Sequence, residues 1–107
     1  MQKRKTVLNS KKLERNFQRQ LIKDIKKRFK GCFVLKLDPN YLQGVPDLLI
    51  LFKKHWATLE VKRSAHAPHR PNQDAYVEIM NKMSFSRFVY PENKESVLNE
   101  MERVFKR

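Results

Sequence analysis

"GVPDLLILFKKHWATLEVK" runs from Gly44 to Lys62 and contains the strongest core-forming residues of the chain. Asp47–Phe52 and Trp56–Lys62 read as two strands folded back at a polar turn around Lys53 and Lys54. The turn lacks the Asn-Gly or Asp-Gly that marks the commonest tight hairpins. The segment nevertheless opens on an aspartate, Asp47, and closes on Glu60 and Lys62.

Side chains alternate along a strand. Ala57, Leu59 and Val61 therefore share one face, small and apolar, suited to a core. Trp56, Thr58, Glu60 and Lys62 share the other. With the hairpin centred between Lys53 and Lys54, Phe52 faces His55, Ile50 faces Ala57 and Asp47 faces Glu60. Opposed residues have Cβ atoms ~4.5–5.5 Å apart, and like charges there repel. A hard divalent cation such as Mg²⁺ or Mn²⁺, which prefers carboxylate, carbonyl and water oxygens, would turn that repulsion into a site. A one-residue change of register would break the pairing.

Two flanking helices carry further candidates. From Lys11 to Lys30, apolar residues recur at helical spacing. Advancing about 100° per residue from Glu14 places Phe17, Leu21, Ile25 and Phe29 within about 60° of it, so Glu14 is centred on the apolar face. Either Glu14 lies one turn beyond the core, in water, or it points inward and needs a partner such as a metal or Lys62. A second helix is expected to start at Pro71, with Tyr76, Ile79, Met80 and Met83 as its apolar face. Gln73 lies on its inward side, in the first turn. It either caps a backbone group or orients a ligand.

The remaining elements follow from the same patterns. Residues 1–12 read as a basic flexible arm and 13–107 as one domain. Cys32–Leu37 is an expected strand, Asp38–Pro46 a loop, and Phe85–Tyr90 a fourth strand. Asn93 caps a last helix with Val97, Leu98, Met101, Val104 and Phe105 on its inner face. The order αβββαβα fits an α/β (α+β) fold, a mixed sheet flanked by helices. Lys and Arg number 24 against 11 acids, a net charge of +13 that calls for a polyanionic partner. Residues 1–30 hold twelve of these cations against Glu14 and Asp24. One cysteine excludes an internal disulfide and a cysteine-based zinc site. The longest apolar run, Leu48–Phe52, is too short to span a bilayer, and the basic start of the chain has no apolar stretch after it. These features predict a cytoplasmic protein of a bacterial host or infected cell, with no membrane partner.

"GVPD" at 44–47, twelve residues, and then "EVK" at 60–62 resembles the PD-(D/E)XK nuclease signature. Glu14 in the preceding helix and Gln73 in the following one are similar to the resolvase-like branches. The nearest likeness is to phage-type virus-type replication-repair nuclease (VRR-NUC) domains, and more distantly to archaeal Holliday-junction resolvases. The resemblance covers Glu14 to about Tyr90. It implies a restriction-endonuclease-like αβββαβ core and a Mg²⁺- or Mn²⁺-dependent endonuclease. Glu14, Asp47, Glu60 and the carbonyl of Val61 would hold the metal. Lys62 would orient water and steady phosphate charge, and Gln73 would shape the site. Relatives often carry serine three residues before the glutamine, where this chain has Arg70.

The expected substrate is DNA, branched DNA such as a Holliday junction included, contacted by Lys11, Lys12, Arg15 and Arg19 on the first helix. Arg63, His69 and Arg70 would add contacts from the loop after the third strand. His66 and His69 read as loop residues near DNA, because Pro68 breaks the helix a metal-binding pair would need. Trp56 reads as packing. No P-loop or nucleophilic-triad motif is present, which argues against energy-driven translocation and covalent hydrolysis. Size and symmetry suggest a homodimer built on the last helix or the first. The competing reading is a non-catalytic basic DNA-binding or assembly protein, and RNA is the competing substrate.

Overall fold

The computed structural model describes the backbone of residues 2–107 and the side chains from residue 9 onward. The elements are α1 (Gln2–Arg28), β1 (Phe33–Lys36), β2 (Leu48–Phe52), β3 (His55–Val61), α2 (Gln73–Met83), β4 (Ser86–Val89) and α3 (Lys94–Phe105). The order is the one read from the sequence. The expected arm over residues 1–12 falls mostly on side chains outside the described residues. From Gln2 onward its backbone is helical and continuous with α1.

The four strands lie in the order β1-β2-β3-β4. β1 and β2 are antiparallel, as are β2 and β3, while β4 joins β3 in parallel. A parallel neighbour needs a crossover, and α2 supplies it. In the hairpin Phe52 faces His55, Ile50 faces Ala57 and Leu48 faces Leu59, the register expected from a turn centred between Lys53 and Lys54. Lys53 takes a positive φ of 56° to close the turn. That conformation is ordinarily left to Gly or Asn, which is why the turn is faint in the sequence.

The two faces of the sheet have different covers. Ala57, Leu59 and Val61 join Leu48 and Ile50 in a core with Leu21, Ile25 and Phe29 of α1 and Val97, Leu98, Met101 and Phe105 of α3. Burying each such Leu, Ile or Phe stabilises the fold by ~1.5–3 kcal/mol relative to exposure. At the turn end of the sheet, Phe29 meets Phe52 and Phe105 edge-on, at centroid distances of 5.7 and 5.2 Å. α2 covers the other face over β3 and β4, where Thr58, Glu60 and Lys62 are all buried. Thr58 Oγ1 donates there to Ser86 Oγ at 2.8 Å, which satisfies a buried hydroxyl.

α2 is rotated from the expectation. Gln73 and Val77 are its buried residues, whereas Ile79 and Met83 are 49% and 70% exposed. Gln73 stays inward over Glu60 and Lys62, as expected, and centring the helix on it brings Val77 into the interior and carries Ile79 and Met83 out to solvent. The helix also starts later than Pro71, after Asn72 with φ 73°. Asn93 stands at the N-cap of α3 but makes no side-chain cap bond. Its amide instead accepts from the Tyr90 N–H and donates to the Phe88 carbonyl, fastening the exit of β4.

Candidate active site

The end of the sheet where β3 finishes carries the candidate residues. Asp47 lies one residue before β2, in line with the rung Asp47–Glu60 that follows Leu48–Leu59. Its carbonyl accepts from the Leu37 N–H at 2.9 Å, which keeps it tied to the chain leaving β1. Its side chain takes over from the ladder, as Oδ2 accepts the Val61 N–H at 2.8 Å. The N–H and C=O of one strand residue point to the same side. The Val61 carbonyl therefore also faces the Asp47 side, where the resemblance would have it.

The loop before Asp47 is held by close approach. Gly44 has φ 91°, and a Cβ on it would lie 2.6 Å from Asn72 Cβ and 3.0 Å from the Pro71 carbonyl oxygen. Only glycine lets this loop meet the entrance to α2. Asp47 and Gln73 are thus brought to one place by a backbone approach invisible in either helical or strand periodicity.

Gln73 is the hub. Its Oε1 accepts from Lys62 Nζ at 2.7 Å and from the Arg70 N–H at 2.7 Å, and its Nε2 donates to Glu60 Oε2 at 3.1 Å. Two donors on one side and a carboxylate on the other fix the orientation of the amide. Gln73 accepts from the backbone at the helix entrance, as the capping reading has it, and it also orients the buried Glu60 and Lys62. The Arg70 contribution here is its backbone N–H. A serine at that position is not needed for this bond.

Lys62 is 6% exposed. Besides Gln73, its Nζ donates to the Pro68 carbonyl at 3.0 Å, and it stands 4.0 Å from Glu60 Oε2. An ammonium has three donors, and two are engaged by neutral oxygens. Glu60 is 3% exposed, and its Oε1 is buried without a hydrogen-bond partner among the described residues. Burial first, then the negative charge of Asp47, push the Glu60 carboxyl up to about 9, and Glu14 adds to this. Lys62 pulls the other way. A carboxylate in this position lacks a positive charge on its open side.

Glu14 is half-buried at the rim, between the two alternatives drawn from the helix. Burial raises its carboxyl above the usual range, Asp47 raises it further, and Lys62, Arg63 and Arg70 lower it. It thus lies within electrostatic reach of the pair. Among the described residues, however, no three His, Cys, Asp or Glu side chains are gathered as one ligand set. The donors on hand are two carboxylates and a backbone carbonyl, with Glu14 at a remove. They fit a hard divalent cation of the Mg²⁺ type, which is commonly held by one or two carboxylates, waters and substrate phosphate. The orphaned Glu60 oxygen is the atom that such an ion would satisfy.

The basic residues divide. Lys11, Lys12, Arg15 and Arg19 are exposed on α1. Arg63 is half-buried and Arg70 exposed, both near Glu14. His69 has a wider role than its loop position suggests. Its Nδ1 lies 2.7 Å from Asp74 Oδ1, and its ring stacks on Phe88 at 4.0 Å. Phe88 is the β4 neighbour of Glu60. The Pro68 carbonyl, Asp74 and Phe88 have no sequence signal, because each depends on where the loop 62–72 folds.

No family model matches this chain, and no curated protein matches it. Among the described residues, no helix is long and apolar enough to cross a membrane.

Proposed function

We propose that the chain is a metal-dependent endonuclease with a PD-(D/E)XK core of the VRR-NUC type, hydrolysing phosphodiester bonds in DNA. The observation that carries this reading is the buried, partnerless Glu60 oxygen beside Asp47, with Lys62 and Gln73 locked around it. A purely binding protein has no use for two carboxylates under a basic surface, since they repel the phosphate it would bind. Asp47, Glu60 and the Val61 carbonyl would hold Mg²⁺ or Mn²⁺, with Glu14 acting through water. When bound, such a cation supplies charge neutralisation at the phosphate and a more acidic water.

The chain's own residues do the rest. Hydrolysis joins the oxygen of water to phosphorus, breaks one phosphorus–ester bond and leaves the departing oxygen to gain a proton. Lys62 Nζ, held by Gln73 Oε1 and the Pro68 carbonyl, has one donor left for the attacking water or a phosphate oxygen. Gln73 holds Glu60 Oε2 through its Nε2 at 3.1 Å, which fixes the carboxyl beside Lys62. Arg63 and Arg70 add positive charge at the rim. Phosphate contacts of this kind position the substrate without reading its sequence, so selectivity for branched DNA would come from shape.

The homodimer belongs to this reading, but on a different face. The apolar faces of α1 and α3 are used within the chain's own core. Phe33, Leu35 and Leu51, on the half of the sheet that α2 leaves bare, are 67%, 45% and 37% exposed. A second copy covering that face would place two sites on two strands. Light scattering that finds only monomer over a wide concentration range removes this element.

The test of the activity uses linear, nicked, flapped and four-way DNA with Mg²⁺, Mn²⁺ or EDTA. Wild type cuts with either metal and not in EDTA, while Glu60→Ala and Lys62→Ala cut neither way. Cleavage in EDTA, or undiminished cleavage by Glu60→Ala, refutes the site. Salt-sensitive binding without cleavage of any substrate assigns the chain to the non-catalytic DNA-binding class.

A further inference from the structure

From Lys11 onward α1 carries charged residues along its outer side, yet its two flanks are treated differently. Toward α3, Arg28 pairs with Glu102 at 3.1 Å and Glu95 at 3.9 Å, and Asp24 pairs with Lys94. These ions are consumed in fastening one helix to the other. Toward β1, Arg15, Arg19 and Lys23 line a cleft of about 320 Å³ with Gln18, Ile22 and Lys36 of β1. No acid borders it. Among the described residues none of these four cations makes an ion pair.

The place of this cleft in the fold matters more than its charge. Lys36 pairs with Leu48, and the next rung joins Leu37 to Asp47. Lys36 is therefore one residue along and one strand across from Asp47, and adjacent strands are about 4.8 Å apart. Its side chain leaves the sheet on the α1 face, since it shares the parity of Val34 opposite Ile50, whereas Asp47 shares that of Leu49 opposite Thr58. Arg15, also in the lining, directly follows Glu14 of the candidate site in α1. The basic lining thus begins at the site's rim and runs around the end of the sheet to its far face. Four unpaired cations, two of them guanidiniums able to grip a phosphate with parallel bonds, suit a phosphodiester.

We infer that the cleft between α1 and β1 is a second phosphate seat, which holds a backbone phosphate of the bound nucleic acid other than the one cut. The inference rests on the nuclease reading for its ligand but not for its test. A strand held at both places bends around the end of the sheet and is fixed on each side of the carboxylates. The seat adds affinity and alignment, and leaves the reacting groups unaltered.

The experiment measures binding of a short fluorescein-labelled DNA duplex in EDTA as a function of KCl. Removing one cation from a phosphate should reduce the slope of log affinity against log salt by about 0.9 on duplex DNA. Lys36→Gln and Arg19→Gln should each lower it by that amount, and the double variant by about twice as much. Lys54→Gln is the control. It lies in a second basic cleft, of about 340 Å³, at the turn end of the sheet with Lys53, Lys106 and Arg107. Its slope should equal that of wild type. If Lys36→Gln and Arg19→Gln keep the wild-type slope, or Lys54→Gln falls with them, the seat is refuted. So it is if wild type does not bind the duplex. Failure of wild type to cleave in Mg²⁺ would refute the nuclease reading alone, since the slopes are read without metal.

Discussion

Replacing Glu60 by glutamine should stabilise the protein in EDTA at neutral pH while abolishing the proposed DNA cleavage. In the folded chain the Glu60 carboxyl is raised from 4.5 to about 9, first by burial and then by Asp47. In the unfolded chain it titrates at its ordinary value. Between those two pH values the folded state holds a proton that the unfolded state has released. Stability from this group is fully present below about pH 4.5 and is lost as pH rises, at about 1.4 kcal/mol per pH unit. By pH 7 the loss amounts to about 3 kcal/mol. Glutamine is neutral throughout and close in shape to the protonated acid. One amide group can accept from Gln73 Nε2 and donate toward Asp47, so the variant avoids the loss. For a chain of this size the expected rise in Tm is on the order of 10 °C at pH 7 in EDTA. Thermal unfolding followed by circular dichroism at pH 5 and pH 8 measures it. The gap should be small at pH 5 and large at pH 8. Mg²⁺ at a hundred times its Kd should then raise wild-type stability by about 2.7 kcal/mol and leave the variant unmoved. A variant less stable than wild type at pH 8, or a gap independent of pH, refutes the account of the pair.

Other perturbations probe the scaffold. Gly44→Ala forces a Cβ against Asn72 at positive φ, so denaturant unfolding should show a loss of at least about 1 kcal/mol, and on the proposed nuclease reading DNA cleavage should fall by a larger proportion as Asp47 and Gln73 part. Lys53→Gly relieves a left-handed lysine in an exposed turn and should stabilise by up to about 1 kcal/mol in the same assay. Asp24 is held below its usual value, chiefly by the hydrogen bond from Lys94, so its contribution is present above about pH 4 and disappears as pH falls through the lowered value. Asp24→Asn should therefore be less stable than wild type at pH 7, and the gap should narrow steadily as pH is lowered from about 4.

Much of the site is legible in the sequence because it lies on one hairpin. Alternation assigns Glu60 and Lys62 to one face, and the turn position assigns Asp47 to Glu60, without knowledge of any other element. Gln73 is visible as an inward polar residue in a first turn, but its dual bonding is not. The helix that bears it departs from its pattern for a related reason. Apolar periodicity selects Tyr76, Ile79, Met80 and Met83, whereas α2 is oriented by the polar strip it covers, and Val77 is buried in place of Ile79. The Asn93 cap fails similarly, because a nearby strand end competes for the same amide. Phe88 beside Glu60 is beyond reach, since parallel pairing depends on a crossover whose length fixes no register. The exposure of Phe33 and Leu35 follows from β1 being an edge strand that only one helix layer covers, a fact of sheet order and not of strand pattern.

The unequal flanks of α1 have a practical consequence in solution. One flank is neutralised by α3, while the other keeps Arg15, Arg19, Lys23 and Lys36 close together with no ion-pair partner among the described residues. In a chain of net charge +13, that concentration of like charge strains the folded state at low ionic strength. Added salt, with a Debye length of about 10 Å at 0.1 M, relieves the strain and should raise Tm. The same salt screens the flank from any phosphate. Buffers in which the protein is most robust are thus those in which its grip on a polyanion is hardest to detect, and a bound polyanion should itself act as the missing counter-charge that holds the helix in place.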